Sequence, residues 1–304
     1  MKNFISIDLS DEDILPFLHS AIENKKKGLP HTRPLEGKNI ILFFEKNSTR
    51  TRLSFELAIK QLGGTSTILN SKDTHFGSGK ENLRDTIQTF ETYSDGIVMR
   101  VNDHQTILDA VKFSRVPIIN GLSNLSHPCQ CMAGLMTLIE EKGSLKDLNI
   151  VWMGQITNVA HSWIDAYLSG LGFSLNIFCP NGGKEKWNDR QFEYIGECIY
   201  LEEEIIHTKI DDTILSNADV IMTDTWQSMG ENTNNQDLED LKDYRVTSSL
   251  MKKAKSDCIF LHCLPADRQQ EVEAQVIDGP SSRVWQEAEN RLHIQKQILI
   301  RCFS

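Results

Sequence analysis

Ser48-Thr49-Arg50-Thr51-Arg52 combines three hydroxyls with two guanidinium groups in five consecutive residues. Hydroxyls donate to oxygen, and a guanidinium presents a planar fork that matches two phosphate oxygens. The segment follows an apolar run, residues 39–44 (NIILFF), and opens a stretch with helical spacing over residues 51–62, which Gly63-Gly64 stops. The first backbone N–H groups of a helix have no intrahelical partner, and the helix dipole favours negative charge there. The pattern therefore reads as a phosphate-type anion site. It also fits a capped helix that carries surface arginines.

Other chemistry-bearing residues follow apolar runs in the same way. Arg100 closes the run 96–100, where it can serve as a second phosphate contact or as a rim arginine. His127-Pro128-Cys129-Gln130 begins the helix after Ile119. A His and a Gln at a helix start can polarise a carbonyl and hold an amide, although Ser126 followed by Pro128 equally describes an ordinary capped helix. Asp224-Thr225-Trp226-Gln227-Ser228-Met229-Gly230 offers a carboxylate for a cationic amine, or a turn cap. In His262-Cys263-Leu264-Pro265 the thiol can act as a nucleophile or pack as a buried structural cysteine. Val151-Trp152-Met153-Gly154-Gln155 lacks G-x-G-x-x-G, which weakens a dinucleotide reading.

The elements that must position these residues alternate between β-rich runs and helical patterns. Strands are expected at residues 39–44, 65–69, 96–100 and 116–119, with helices at 51–62 and 83–93. The rhythm restarts with strands at 148–153, 174–178, 218–223 and 258–261 and a helix over about 158–171. This predicts an α/β fold of two doubly wound domains, each with a mostly parallel sheet, linked by interdomain helices. The boundary falls near residues 142–146, after a helix over 129–141. Polar stretches at 70–80 and 229–237 read as loops. In such folds ligands bind at the carboxyl ends of strands, where all these motifs lie.

The chain has 304 residues, 39% hydrophobic and 24% charged, with a formal net charge of -10. That charge opposes a general nucleic-acid binder and docking on an anionic membrane, but not a local cationic pocket. Seven cysteines without C-x-x-C spacing argue against a disulfide framework or zinc site and fit a reducing cytoplasm. The first 13 residues lack signal-peptide character, and no apolar run approaches the ~18 residues that span a bilayer.

Taken in order, the motifs FFEKNSTRTRLSFE, HPCQ, DTWQSMG, FLHCLPADR and AENRLH resemble the carbamoyltransferases, and among them the ornithine carbamoyltransferases. The resemblance runs from Phe43 to the C-terminal helix. It implies a carbamoyl phosphate-binding domain over residues 1–142, completed by a helix at about 285–304, and an ornithine-binding domain over 143–284. Ser48, Thr49, Arg50 and Thr51, with Arg100, would hold the phosphate. His127 and Gln130 would contact the carbamoyl oxygen and amide, assisted by Arg291, with Pro128 and Cys129 beside them. Cys263 and Leu264 would line the meeting point of the two substrates. Asn158, Asp224, Ser228 and Met229 would bind ornithine, and Arg52 would pair inward as a structural residue.

The implied catalytic set is Arg100, His127, Cys263 and Arg291. The δ-amine of L-ornithine would attack the carbamoyl carbon of carbamoyl phosphate and release phosphate, giving citrulline. Such an amine, with a pKa of about 10.4 like lysine, must first lose a proton. No cofactor, metal or covalent enzyme intermediate is required. The resemblance further implies a homotrimer, or a multiple of trimers, with sites between subunits and no nucleic-acid or membrane partner.

Two positions depart from the pattern. Gly154-Gln155-Ile156-Thr157-Asn158 replaces the usual Gly-Asp-x-x-Asn, and Thr74-His75-Phe76-Gly77 stands where a Gln usually precedes Gly. An aspartate carbamoyltransferase would share the phosphate motif but meet its second substrate with an arginine-bearing loop. DTWQSMG and HCLPA point instead to a basic amino acid. Transfer to another amine such as putrescine, or a non-catalytic binding role, are the remaining alternatives. The second is opposed by the complete set Arg50, Arg100, His127, Gln130, Asp224, Cys263 and Arg291.

Overall fold

An apolar run without alternation needs cover on both faces, and residues 39–44 form such a strand, β1 (Asn39–Phe44), buried from Ile40 onward. The structure, a computed structural model, describes residues 2–7, 13–28, 33–181, 205–226 and 235–304. The chain divides into two units: Met1–Met136 with Glu289–Ser304, and Thr137–Ala288.

The first unit contains α1 (Ile14–Lys27), β1, α2 (Thr49–Gln61), β2 (Thr65–Asn70), α3 (Leu83–Tyr93), β3 (Gly96–Arg100), α4 (His104–Phe113) and β4 (Ile118–Leu122). The strands pair in parallel in the order β2-β1-β3-β4. Parallel neighbours require crossovers, and α2, α3 and α4 supply them. Ile41, Phe43, Ile97 and Met99 of the sheet pack with Ile87 and Phe90 of α3. Phe4 adds a parallel bridge to Ile119.

The second unit contains β5 (Asn149–Met153), α6 (Asn158–Leu168), β6 (Ser174–Phe178), β7 (Ile206–His207), α7 (Asp212–Ser216), β8 (Val220–Thr223), α8 (Asn235–Leu241), α9 (Ser248–Met251), β9 (Ile259–His262) and α10 (Ala274–Ile277). Its sheet is parallel in the order β7-β6-β5-β8-β9. Val151, Phe178, Ile221 and Phe260 lie in its core. The chain leaves the first unit within α5 (Pro128–Lys142) and returns to it within α11 (Val284–Phe303). The expected α/β architecture with two parallel sheets is the one observed.

Some boundaries differ for local reasons. β4 runs over Ile118–Leu122 rather than residues 116–119, because Pro117 lacks an N–H for the ladder and Asn120 is accommodated as a buried strand residue. α6 stops at Leu168 rather than 171, because Gly170 (φ 76°) takes the left-handed conformation that ends helices. Residues 235–237 of the expected 229–237 loop open the helix α8, while 229–234 lie outside the described residues. α1 had no counterpart in the motif reading. Asp13 caps it by accepting from Leu15 N, and lysines fill its last turn.

Candidate active site

In the first sheet β1 leads through α2 to β2 on one side, and β3 leads through α4 to β4 on the other. The carboxyl ends of β1 and β3 are therefore the point where the strand order reverses, the crevice that open α/β sheets offer to ligands. Phe44 and Arg100 lie in register there. Glu45 fastens the two ends: its N–H donates to Arg100 O at 2.9 Å, and its Oε2 accepts from Asn102 N at 2.6 Å.

Ser48 caps α2, its Oγ accepting from Thr51 N at 3.2 Å. The N–H groups of Thr49 and Arg50 lie in the turn that no intrahelical carbonyl can serve. Thr51 is 1% exposed, and its Oγ1 accepts from Arg100 Nη1 at 3.3 Å and from Arg291 Nη2 at 3.1 Å. Arg291 Nη1 donates to Gln130 Oε1 at 2.5 Å. Three segments far apart in sequence thus meet at the Thr51 hydroxyl, and Arg291 links a fourth through Gln130. Two guanidinium groups converge on a single neutral hydroxyl, a geometry that like-charge repulsion opposes and that a bound dianion would relieve.

His127 precedes α5, and its carbonyl accepts from Gln130 N at 3.0 Å and Cys131 N at 3.2 Å. Burial, and then the positive charges of Arg291, Arg100 and Arg50, hold its imidazole well below the usual histidine value. It is therefore neutral near pH 7, with one ring nitrogen able to donate and the other to accept. The Cys129 thiol donates to Asn120 O at 3.4 Å, and burial pushes its pKa up to about 12. The thiol is thus a packing group, directed at the β4 backbone. Arg52 corrects the expectation of inward pairing. It projects from the exposed face of α2, and it makes no hydrogen bond or ion pair among the described residues. The helical turn that sends Thr51 inward sends the next residue out.

The second unit repeats the logic. β5 and β8 are neighbours whose crossovers run to opposite sides, with Met153 and Thr223 in register at their carboxyl ends. Gly154 (φ 111°) turns the chain out of β5, where a Cβ would stand 3.3 Å from Trp226 Nε1. Thr157 then caps α6, accepting from Ala160 N at 3.4 Å. Its hydroxyl donates to Asp224 Oδ2 at 2.9 Å. Asp224 Oδ1 accepts from Thr225 N at 2.7 Å and from the Cys263 thiol at 2.7 Å. A buried carboxylate with its oxygens fixed in this way can accept a further charge-assisted hydrogen bond from a cationic group.

Leu264 adopts φ 54°, and its N–H donates to His262 Nδ1 at 2.8 Å. Asn158 opens α6 and is half-buried, as is Gln155, whose carbonyl accepts from Trp152 Nε1 at 2.9 Å. His75 is exposed, and Ser228 and Met229 lie outside the described residues. Thr157 was not among the expected site residues. Its signal was a threonine directly before a helical pattern, a cap that also faces the strand end carrying Asp224.

Among the described residues no group of three or more His, Cys, Asp or Glu is placed to hold a metal ion, and no helix is long and apolar enough to cross a membrane.

The sequence matches two family models: the aspartate/ornithine carbamoyltransferase carbamoyl-P binding domain over residues 2–140 and the Asp/Orn binding domain over residues 146–302. It is 40% identical over 308 residues to the ornithine carbamoyltransferase of Rhizorhabdus wittichii, covering 98% of this chain and 97% of that one. It is 42% identical to the Geobacter metallireducens ornithine carbamoyltransferase, covering 98% of each. The anabolic ornithine carbamoyltransferase from Campylobacter jejuni superposes with a TM-score of 0.84 at 34% identity, covering 99% of both chains. With polar side chains gathered at both sheet switch points, and both domain patterns matched along the chain, the protein belongs to the aspartate/ornithine carbamoyltransferase family.

Proposed function

We propose that the protein transfers the carbamoyl group of carbamoyl phosphate to the δ-amine of L-ornithine, giving L-citrulline and phosphate. The observation that carries this reading is the convergence of Arg100 and Arg291 on Thr51 at the first turn of α2. The family match and the ornithine carbamoyltransferases at about 40% identity support the substrate pair.

In this reading the first unit binds carbamoyl phosphate and the second binds ornithine. Ser48, Thr49, Arg50 and Thr51 hold the phosphate through hydroxyls, guanidinium and helix N–H groups, and Arg100 adds a second cation. Neutral His127 donates to the carbamoyl oxygen, while Gln130, oriented by Arg291, meets the carbamoyl amide with Pro128 and Cys129 alongside. Asp224, with Asn158, Ser228 and Met229, receives the amino-acid end of ornithine, and Cys263 and Leu264 line the path of its side chain. As the neutral δ-amine adds to the carbamoyl carbon, negative charge grows on the carbonyl oxygen, and prepositioned donors stabilise it most at that moment. The C–O bond to phosphate then breaks as the proton of the added amine passes to the departing phosphate oxygen, and the arginines stabilise the hydrogen phosphate dianion that leaves. No step in this sequence calls for a metal or an organic cofactor.

We further propose a homotrimer or a multiple of trimers, and a cytoplasmic setting that suits a chain rich in thiols. The test is citrulline formation from carbamoyl phosphate and ornithine, with aspartate and putrescine as competing acceptors. Turnover with aspartate or putrescine but not ornithine overturns the acceptor assignment. Arg50→Ala is expected to lower kcat/KM for carbamoyl phosphate by roughly 100- to 1,000-fold, and near-normal kinetics would reject the phosphate site.

A further inference from the structure

His127 does not hold itself in place. It stands at the end of a short reversal between β4 and α5, closed by two hydrogen bonds. Ser123 N donates to Ser126 O at 2.9 Å, and Ser126 N donates to Ser123 Oγ at 3.2 Å. Ser126 is the residue directly before His127, so this closure fixes where His127 begins. Asn120 Nδ2 donates to Ser126 Oγ at 3.0 Å from within β4.

The reversal is tied from outside by His104, the first residue of α4. Its backbone N–H donates to Asn124 Oδ1 at 2.8 Å, and its Nδ1 lies 2.8 Å from Ser123 Oγ. His104, Asn120, Ser123 and Ser126 are all buried. Burial lowers the His104 imidazole to about 4, so the ring is neutral near pH 7. The Ser123 hydroxyl has His104 Nδ1 at 2.8 Å and Ser126 O at 3.5 Å within reach. The His104 tautomer sets which atom donates in the Nδ1–Ser123 Oγ contact, and Ser123 Oγ accepts from Ser126 N in either case. His104 follows Arg100 by four residues. The strand end that carries one phosphate contact therefore also carries the group that restrains the His127 turn.

We propose that Ser123 and His104 are positioning residues that aim His127 at the carbamoyl oxygen and couple its placement to Arg100. The proposal rests on the carbamoyl-transfer reading given above. Neither residue touches the substrates, and both act through the backbone of the 123–127 reversal. Their polar chemistry suits orientation better than stability, because an apolar cluster of equal volume would hold the turn without directional bonds.

The test is a double-mutant cycle on kcat for citrulline formation, using the full chain with Ser123→Ala, His127→Ala and the two together. Ser123→Ala is expected to lower kcat by about 10- to 100-fold while KM for ornithine stays within about two-fold, since the ornithine groups lie on the other unit. In the His127→Ala background the same change is expected to have no further effect on kcat. Ser123→Thr, which retains the hydroxyl, is expected to restore most of the rate. Equal losses in both backgrounds, or no loss in the unsubstituted protein, would overturn the positioning role. Should Ser123→Ala fail to fold by thermal melting, His104→Leu enters the same cycle with the same expected outcome. An absence of citrulline with the unsubstituted protein would instead overturn the transfer reading itself, a result distinct from an additive cycle.

Discussion

Thr51 organises the anion site through one oxygen, because Arg100 and Arg291 both donate to it from strands and helices distant in sequence. Valine has nearly the same shape as threonine but no acceptor. Thr51→Val is therefore expected to let the two guanidinium groups separate, lowering kcat/KM for carbamoyl phosphate by about 10- to 100-fold. Steady-state kinetics beside Thr51→Ser, which keeps the oxygen, checks this, and equal rates in the two variants would reject the role. Residue type and local spacing made Thr51 and Arg100 visible as donors beside strand ends, whereas Arg291, within the C-terminal helix, was indicated only by the family resemblance. The sequence could not show that two of them share a hydroxyl from the third, since that contact depends on how α11 returns. Arg52 illustrates the opposite failure. Its type is identical to that of Arg50, and only helical phase separates a partly buried ligand from an exposed side chain.

At the scale of elements, the strand-helix alternation was legible because unbroken apolar runs such as residues 39–44 and 149–153 fit only strands covered on both faces. The order β2-β1-β3-β4 was not, since periodicity says nothing of which strand lies beside which. That order decides the site, because it puts Phe44 beside Arg100. The first turn of α4 carries a testable pH dependence. His104 titrates near 6.5 when unfolded and about 4 when buried, so acid protonates the unfolded chain first. Its contribution is present above pH 6.5 and is lost as pH falls toward 4, up to about 3 kcal/mol. The fall in Tm between pH 7 and pH 4.5 should therefore be smaller in His104→Gln than in the unsubstituted protein. Parallel pH profiles of melting in the two proteins would show that His104 makes no such contribution.

At the scale of the whole molecule, α2 shows two faces. Its first turn gathers the arginines, while Leu53 and Leu57, 52% and 44% exposed, form an outward apolar pair one turn apart beside Arg52. A proposed trimer gives that face something to cover it. Light scattering is expected to give three times the chain mass of 34.6 kDa, or a multiple of that. Leu57→Asp is expected to shift the protein toward smaller species and to reduce turnover with them. A fully assembled Leu57→Asp protein would remove this helix from the interface.

The convergence on Thr51 also bears on the order in which the chain is made. Every strand of both sheets precedes Arg291 in synthesis, so an emerging chain can complete β1 through β9 before the arginine that joins Gln130 to Thr51 exists. Domains fold as they leave the ribosome. A nascent chain halted before α11 would thus lack both a helix of the first unit and the clamp that closes the anion site. Competence arrives late in translation, with the one helix that supplies both buried side chains of the first unit and the clamp of its site.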